Sequence, residues 1–161
     1  MINEIDLMHL RRCVKLAEDA LDDGDEPFGS ILVAGNGNML MEDRNRVAGG
    51  DHTQHPEFAI ARWAANHLTP EQRREATVYT SGEHCPMCAA AHGWVELGRI
   101  VYASSSAQLA DWLDEWGVPA PKVRTLRIQD VIRETEVEGP VPELAAQVKE
   151  LHRRMRSAPQ L

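Results

Sequence analysis

Helix-like and strand-like segments alternate along most of this sequence, and the alternation restricts the folds open to it. Apolar residues recur at helical spacing over residues 6–23, and a hairpin pattern follows over residues 28–41. Asn36-Gly37 marks its turn, because an Asn-Gly pair suits the positive φ angles of tight turns. Further strand patterns occupy residues 76–80, 99–103 and 122–128, and further helical patterns occupy residues 56–67, 86–97, 107–116 and 142–156. The order predicts an α/β fold in which one mixed five-stranded sheet carries helices on both faces.

The length of 161 residues fits a single hydrophobic core, since one domain usually organises about 100–200 residues. The sequence shows no internal repeat and no linker-like stretch. We therefore expect one domain over residues 1–156, followed by a tail over residues 157–161 that frays. The acidic start lacks the basic and apolar regions of a secretory signal, and no run approaches about 18 consecutive apolar residues. We expect a cytoplasmic protein without membrane contact.

Acidic residues outnumber basic ones by 25 to 17, so the formal net charge is −8. Such a chain has no general attraction for phosphate backbones. We therefore expect a small-molecule substrate and no nucleic-acid partner. Two of the three cysteines lie in Cys85-Pro86-Met87-Cys88, a spacing typical of metal or thiol chemistry in a reducing compartment.

Two short motifs open two of the predicted helices: His55-Pro56-Glu57 and Cys85-Pro86-Met87-Cys88. The positive end of a helix dipole stabilises the thiolate form in which cysteine binds metals. Cys85 and Cys88 also present their sulfurs on the same helix face. With His55 from a neighbouring helix they would supply three ligands to Zn²⁺ and leave the fourth position for water, as in catalytic zinc sites. Glu57 would then stand beside that water as a base.

The same residues allow two other interpretations. Cys85 and Cys88 alone also fit a thioredoxin-like redox pair, although such a pair has no use for the histidine and glutamate of the first motif. A purely structural zinc site would need a fourth protein ligand, and His52, His84 and His92 are available for that role.

The combination of the two motifs resembles the zinc-dependent nucleobase deaminases of the cytidine/deoxycytidylate deaminase superfamily. The resemblance continues in Glu26-Pro27-Phe28-Gly29, Asn45, Tyr79-Thr80-Ser81-x-Glu83 and Trp94, which are similar to bacterial guanine deaminases. It implies a three-layer α/β/α sandwich, a bound Zn²⁺ and hydrolytic deamination of an amino-substituted ring. His55, Cys85 and Cys88 match the family's metal ligands. Glu57 matches the group that carries protons between the water, the ring and the departing ammonia.

The resemblance also implies the side chains of a substrate pocket. Asn45 matches the amide that anchors the base, and Phe28 and Trp94 match aromatic walls that stack on a planar ring. Guanine deaminases carry an aspartate after the last matched strand. Several acids lie within residues 111–115 of this chain, and Asp114 is our candidate among them.

Two departures from the family pattern leave the substrate open. His84 stands where the family usually has proline, and His92 stands where it has an aliphatic residue. The expected substrate is therefore a small free nucleobase or related heterocycle, such as guanine, cytosine, a modified base or an aminotriazine. A tRNA adenosine deaminase is the alternative within the family. Family members commonly assemble as dimers or larger oligomers, and Trp112 and Trp116, which share a helix face, favour a homodimer or a packed core.

Overall fold

The structure is a computed structural model, and it describes residues 1–157 of the chain. Its helices are α1 (Glu4–Asp22), α2 (Pro56–His67), α3 (Pro70–Glu75), α4 (Pro86–Trp94), α5 (Ser106–Glu115) and α6 (Pro142–Ser157). Its strands are β1 (Gly29–Val33), β2 (Met39–Arg44), β3 (Thr77–Gly82), β4 (Ile100–Ser104) and β5 (Val137–Glu138). Two short 3₁₀ helices cover Val47–Gly49 and Ile128–Asp130. No helix within residues 1–157 is long and apolar enough to cross a membrane.

The five strands form one mixed sheet in the order β2-β1-β3-β4-β5. Strand β1 runs antiparallel to both β2 and β3, whereas β3, β4 and β5 run parallel to one another. The parallel register pairs Gly82 with Ser104, so the carboxyl ends of β3 and β4 meet at one edge of the sheet. In open α/β sheets, ligands bind beside such strand ends.

Helices cover both faces of the sheet, as the sequence pattern predicts. Successive side chains of a strand point to opposite faces, so Ile31 and Tyr79 belong to one core cluster while Leu32 and Val78 belong to the other. Residues of α1, α5 and α6 pack in the first cluster, and residues of α2 and α4 pack in the second. The three-layer α/β/α arrangement is therefore confirmed. Trp112 is buried in the first cluster, so packing within its own chain accounts for it.

The strand predicted over residues 122–128 is wrong. Residues 119–127 form an irregular segment, and the fifth strand is the two-residue β5 further along the chain. The alternating pattern has another cause here: Val123 and Leu126 line a cavity, and Ile128 is completely buried. Pro119 and Pro121, which precede the pattern, also lack the N–H groups that a strand would pair.

Some element boundaries also differ from those expected. The short helix α3 was not anticipated, although Thr69 and Gln72 form a capping box at its start. Helix α4 ends at Trp94, three residues before the predicted end. Helix α6 continues through Ser157, and the rest of the predicted frayed tail lies outside the described residues.

Candidate active site

Three metal-binding side chains meet where the starts of α2 and α4 lie side by side. The Nδ1 atom of His55 is 3.5 Å from the sulfur of Cys85 and 3.5 Å from the sulfur of Cys88. All three donor atoms lie within 4.8 Å of one another. His55 and Cys85 are the N-cap residues of their helices, and a proline follows each at the first helical position. The two motifs therefore come together because both open helices that pack against each other.

The donor set fits a tetrahedral zinc ion. Ligand distances of about 2.0–2.1 Å for nitrogen and about 2.3 Å for sulfur place a tetrahedral N···S pair roughly 3.5 Å apart, which matches the spacing around His55. Within residues 1–157 the group of metal donors contains these three side chains and no fourth. His84 and His92 are buried against each other instead, with ring centroids 5.5 Å apart. The structural-zinc interpretation therefore finds no fourth ligand in the described part of the chain.

Hydrogen bonding inside the donor group sets the protonation of its members. The bond from Cys88 lowers the pKa of Cys85 to about 4, although burial opposes this change. The same bond, burial and the neighbouring carboxylate of Glu57 raise the pKa of Cys88. The hydrogen bond with Cys85 raises the pKa of His55 to about 9. Cys85 is therefore a thiolate at neutral pH, and metal binding has to displace protons from His55 and Cys88.

Glu57 is a buried carboxylic acid beside this group, with 6% of its surface exposed. Its Oε1 atom lies 2.9 Å from the Thr80 hydroxyl and 3.2 Å from the Ser30 hydroxyl, both of which can donate to it. Burial raises the pKa of Glu57, which brings the group closer to the range in which a side chain both accepts and releases protons.

A second buried carboxylate, Glu83, lies two residues before Cys85 and uses both of its oxygens in hydrogen bonds. Its Oε1 accepts the backbone N–H of Ser106 at 2.9 Å, and its Oε2 accepts the backbone N–H of Ile128 at 2.9 Å. In contrast, the two hydroxyl bonds of Glu57 both go to one oxygen. The geometry therefore supports Glu57, rather than Glu83, as the proton carrier. The hydrogen bonds of Glu83 could not be predicted from the sequence, because its partners lie 23 and 45 residues away.

A cavity of about 510 Å³ lies against the donor group. His55, Glu57 and Cys85 line it, as do two of the residues that the sequence assigned to the pocket, Phe28 and Asp114. The motif residue Glu26 and the buried Glu83 also line it. Much of the remaining wall comes from α5 and the segment after it, which no sequence motif indicates, and includes Leu109, Leu113, Arg124 and Leu126.

The structure does not bring Trp94 to the cavity: its side chain is 87% exposed and is not one of the lining residues. Trp94 is the last residue of a nine-residue helix that begins beside Cys85, so about 1.5 Å of rise per residue carries it away from the metal donors.

Asn45 is completely buried just after β2 and is not one of the cavity-lining residues. Its Oδ1 accepts the backbone N–H groups of Val47 at 3.0 Å and Glu26 at 3.3 Å. Its Nδ2 has no hydrogen-bond partner within the described residues. A buried donor without a partner is costly, but this atom does not open on the cavity, so the described structure does not bring Asn45 to the cavity wall.

Comparisons with known proteins identify the family. The family described as "Cytidine and deoxycytidylate deaminase zinc-binding region" matches residues 3–104, more than half of the chain. This region contains His55, Cys85, Cys88 and Glu57. The protein belongs to the cytidine and deoxycytidylate deaminase family. Membership supports a zinc ion at the three donors and argues against the redox interpretation of the two cysteines.

The relatives are named for different substrates. The probable cytosine deaminase of Schizosaccharomyces pombe is 38% identical over 110 residues, which cover 67% of this chain and 65% of the relative. The guanine deaminase of Bacillus subtilis is 34% identical over 104 residues, covering 63% and 66%. The tRNA-specific adenosine deaminase of Agrobacterium fabrum is 33% identical over 89 residues, covering 55% and 58%. The matched part of the chain thus spans less than two thirds of the length of each of these relatives.

A solved structure supports the fold independently. A mutant of the protein NE0047 in complex with 8-azaguanine superposes with a TM-score of 0.72 at 18% identity, over 93% of this chain and 84% of the other. At 18% identity the match supports conclusions about the fold alone. The superposition confirms the α/β sandwich with its mixed sheet.

Proposed function

We propose that this protein catalyses the hydrolytic deamination of a small free nucleobase or related amino-substituted heterocycle. The observation that carries the proposal is the position of Glu57, which is buried beside the donors His55, Cys85 and Cys88 and lines the same cavity. Zn²⁺ bound to these donors would lower the pKa of a water in its fourth position. Side chains of the protein carry out the proton transfers and orient the groups that react.

Glu57 moves the protons of the reaction. It accepts a proton from the attacking water and gives it to the ring nitrogen next to the amino-bearing carbon. Addition of the water oxygen forms a C–O bond at that carbon. Glu57 then takes the second proton of that oxygen and delivers it to the amino group, so that the C–N bond breaks, ammonia leaves and a carbonyl remains. Ser30 and Thr80 hold one carboxylate oxygen in place throughout, which fixes the direction of the transfer.

The wall of the cavity indicates the class of ring. Phe28 offers a flat aromatic surface to a planar base. The carboxylates of Glu26 and Asp114 accept hydrogen bonds, so they suit the N–H and NH₂ groups of an aminopurine, aminopyrimidine or aminotriazine. The relatives include a probable cytosine deaminase and a guanine deaminase, so both a pyrimidine and a purine are candidates for the ring.

A tRNA adenosine deaminase is the second candidate, because relatives of that name also match this chain. Such an enzyme must hold an RNA backbone, and its affinity would fall steeply with salt. The net charge of −8 opposes such binding. Salt-sensitive binding of tRNA at micromolar concentration, together with inosine formation, would favour this candidate over a free base.

Two measurements test the main proposal. Purified protein should contain about one zinc per chain and should release ammonia from at least one member of a panel: guanine, isoguanine, cytosine, substituted cytosines and azacytosines, ammeline, adenine and the matching nucleosides. Glu57→Ala should keep its zinc and lose turnover. A Glu57→Ala protein that has lost its metal would contradict the role assigned to Glu57.

We also propose that the protein is a cytoplasmic homodimer, in keeping with the oligomers common in its family. Size-exclusion chromatography with light scattering should give twice the 18.0 kDa mass of the chain. A mass of one chain at all concentrations tested would contradict the dimer.

A further inference from the structure

One side of the cavity is formed by a segment that has little backbone support. Residues 118–127, which we call the cavity strap, connect α5 to the 3₁₀ helix Ile128–Asp130. Val118, Val123, Arg124 and Leu126 of the strap line the cavity. Within the described structure, residues 119–126 make no backbone–backbone hydrogen bonds. Such a segment has few interactions of its own to oppose local opening, so its position depends on how its two ends are held.

Different parts of the site hold the two ends of the strap. At its start, the N–H of Val118 donates to the carbonyl of Leu113 in the last turn of α5 at 2.9 Å. At its far end, the N–H of Ile128 donates to Oε2 of Glu83 at 2.9 Å. Ile128 is completely buried, so this N–H has no access to water as an alternative acceptor.

Glu83 also holds the helix from which the strap departs. Its Oε1 accepts the N–H of Ser106 at 2.9 Å, and Ser106 is the first residue of α5. Leu109, Leu113 and Asp114 of α5 line the cavity. One carboxylate therefore connects three parts of the wall: the start of α5, the end of the strap and the loop that carries Cys85. Hydrogen bonds to a charged acceptor are stronger than bonds between neutral groups.

We propose that Glu83 is a positioning residue that sets the wall of the cavity opposite the metal donors, and that it thereby controls substrate binding rather than proton transfer. Each of its two oxygens accepts a backbone N–H that belongs to the wall, so a proton taken up by either oxygen would weaken that support. Glu83 also lines the cavity, but loss of its two hydrogen bonds acts on a substrate through α5 and the cavity strap. Loosening the wall should therefore weaken binding of the ring more than it slows the chemical step.

The first test uses Glu83→Gln, which keeps the shape of the side chain. An amide offers one acceptor oxygen and one NH₂ donor, so one of the two backbone N–H groups loses its acceptor. We expect unchanged zinc content and hydrogen exchange at least about tenfold faster at Ile128 or Ser106, whose N–H groups Glu83 accepts. The exposed amides of residues 119–126 have no backbone partner to lose, so they do not serve as a readout. Glu150→Gln, an exposed change on α6, is the control and should leave these rates as in the wild type. Wild-type exchange rates in Glu83→Gln would overturn the proposal, and so would loss of zinc.

The second test removes the donor instead of the acceptor. Ser106→Pro deletes the N–H that Glu83 accepts and points a ring carbon at Oε1 of Glu83 instead, while the backbone of a first helical position still suits proline. Ser105, which precedes it, is already extended at φ −88° and ψ 159°, as a residue before proline prefers. Ser106→Ala is the matched control, because it removes the hydroxyl and keeps the N–H. Faster exchange at the start of α5 and at Ile128 in the proline variant, but not in the alanine variant, is the expected result. Equal exchange in both would refute the link through Glu83.

The kinetic test depends on the proposed deaminase activity. With a substrate from the panel, Glu83→Gln should raise KM by about tenfold while kcat changes less than threefold. A fall in kcat at constant KM would overturn the positioning role. If the wild-type protein deaminates nothing on the panel, the proposed function fails, while the exchange measurements still decide the role of Glu83.

Discussion

The pH dependence of stability should reveal the histidine that lies behind the cavity wall. His152 of α6 is 3% exposed, and its ring packs edge-on against the cavity residue Phe28 at a centroid distance of 5.1 Å. Burial, assisted by the charge of Arg156, lowers the pKa of His152 to about 4. The folded protein therefore holds this side chain in its neutral form under ordinary conditions.

The sign and size of the effect follow from proton linkage. An unfolded histidine has a pKa of about 6.5, so the unfolded chain binds more protons than the folded one between about pH 4 and pH 6.5. The contribution of neutral His152 is complete above that range and is lost as the pH falls through it. For pKa values of about 6.5 and about 4, linkage removes about 2 kcal/mol of unfolding free energy at pH 5.

The assay compares wild type with His152→Leu by urea unfolding at pH 7.5 and pH 5.0. Leucine does not titrate. The unfolding free energy of His152→Leu relative to that of wild type should therefore rise by about 2 kcal/mol from pH 7.5 to pH 5.0. Loss of zinc and titration of the other groups affect both proteins and cancel in the difference. His67→Leu, a change at an exposed position, should show no such improvement. A difference between wild type and His152→Leu that stays constant with pH would refute the reasoning.

Three further predictions follow from the same structure. Cys88→Ser should reduce zinc to less than about one tenth of an equivalent per chain by elemental analysis, because the site depends on two thiolates; full zinc content would contradict the ligand set. Gly29→Ala should lower the unfolding free energy by about 1–3 kcal/mol, since its Cβ would lie 2.4 Å from a side-chain atom of α1. Gly49→Ala, where nothing lies within 4 Å, is its control in urea unfolding and should behave as wild type. Thr80→Val removes a hydroxyl that holds Glu57 and should lower kcat about tenfold or more without loss of zinc; an unchanged kcat would mean that the hydroxyl does not orient the base.

The metal donors were predictable because their chemistry is local. His55, Cys85 and Cys88 stand at helix starts that their flanking prolines mark in the sequence, and Glu57 follows its histidine by two residues. The alternation of strands and helices likewise determined the layers of the fold. These features depend on neighbours along the chain, which a sequence displays directly.

The features that escaped prediction depend on distant partners. Trp94 carries a motif resemblance, but the length of α4 takes its side chain away from the cavity. His152 looks like a solvated helix residue in the sequence, and its burial comes from Phe28, more than a hundred positions earlier. The pattern over residues 122–128 alternates because some of its side chains face a cavity, which requires no strand pairing.

The parallel pairing of β3 and β4 brings two separate stretches of the chain to one cavity. The connection after β3 carries the metal-binding cysteines, whereas the connection after β4 carries α5 and the cavity strap, and both leave the sheet at the same edge. The family match ends at residue 104, just where the second connection begins. Mutation or exchange of residues 106–128 can therefore remodel this part of the cavity wall without changing His55, Glu57, Cys85 or Cys88.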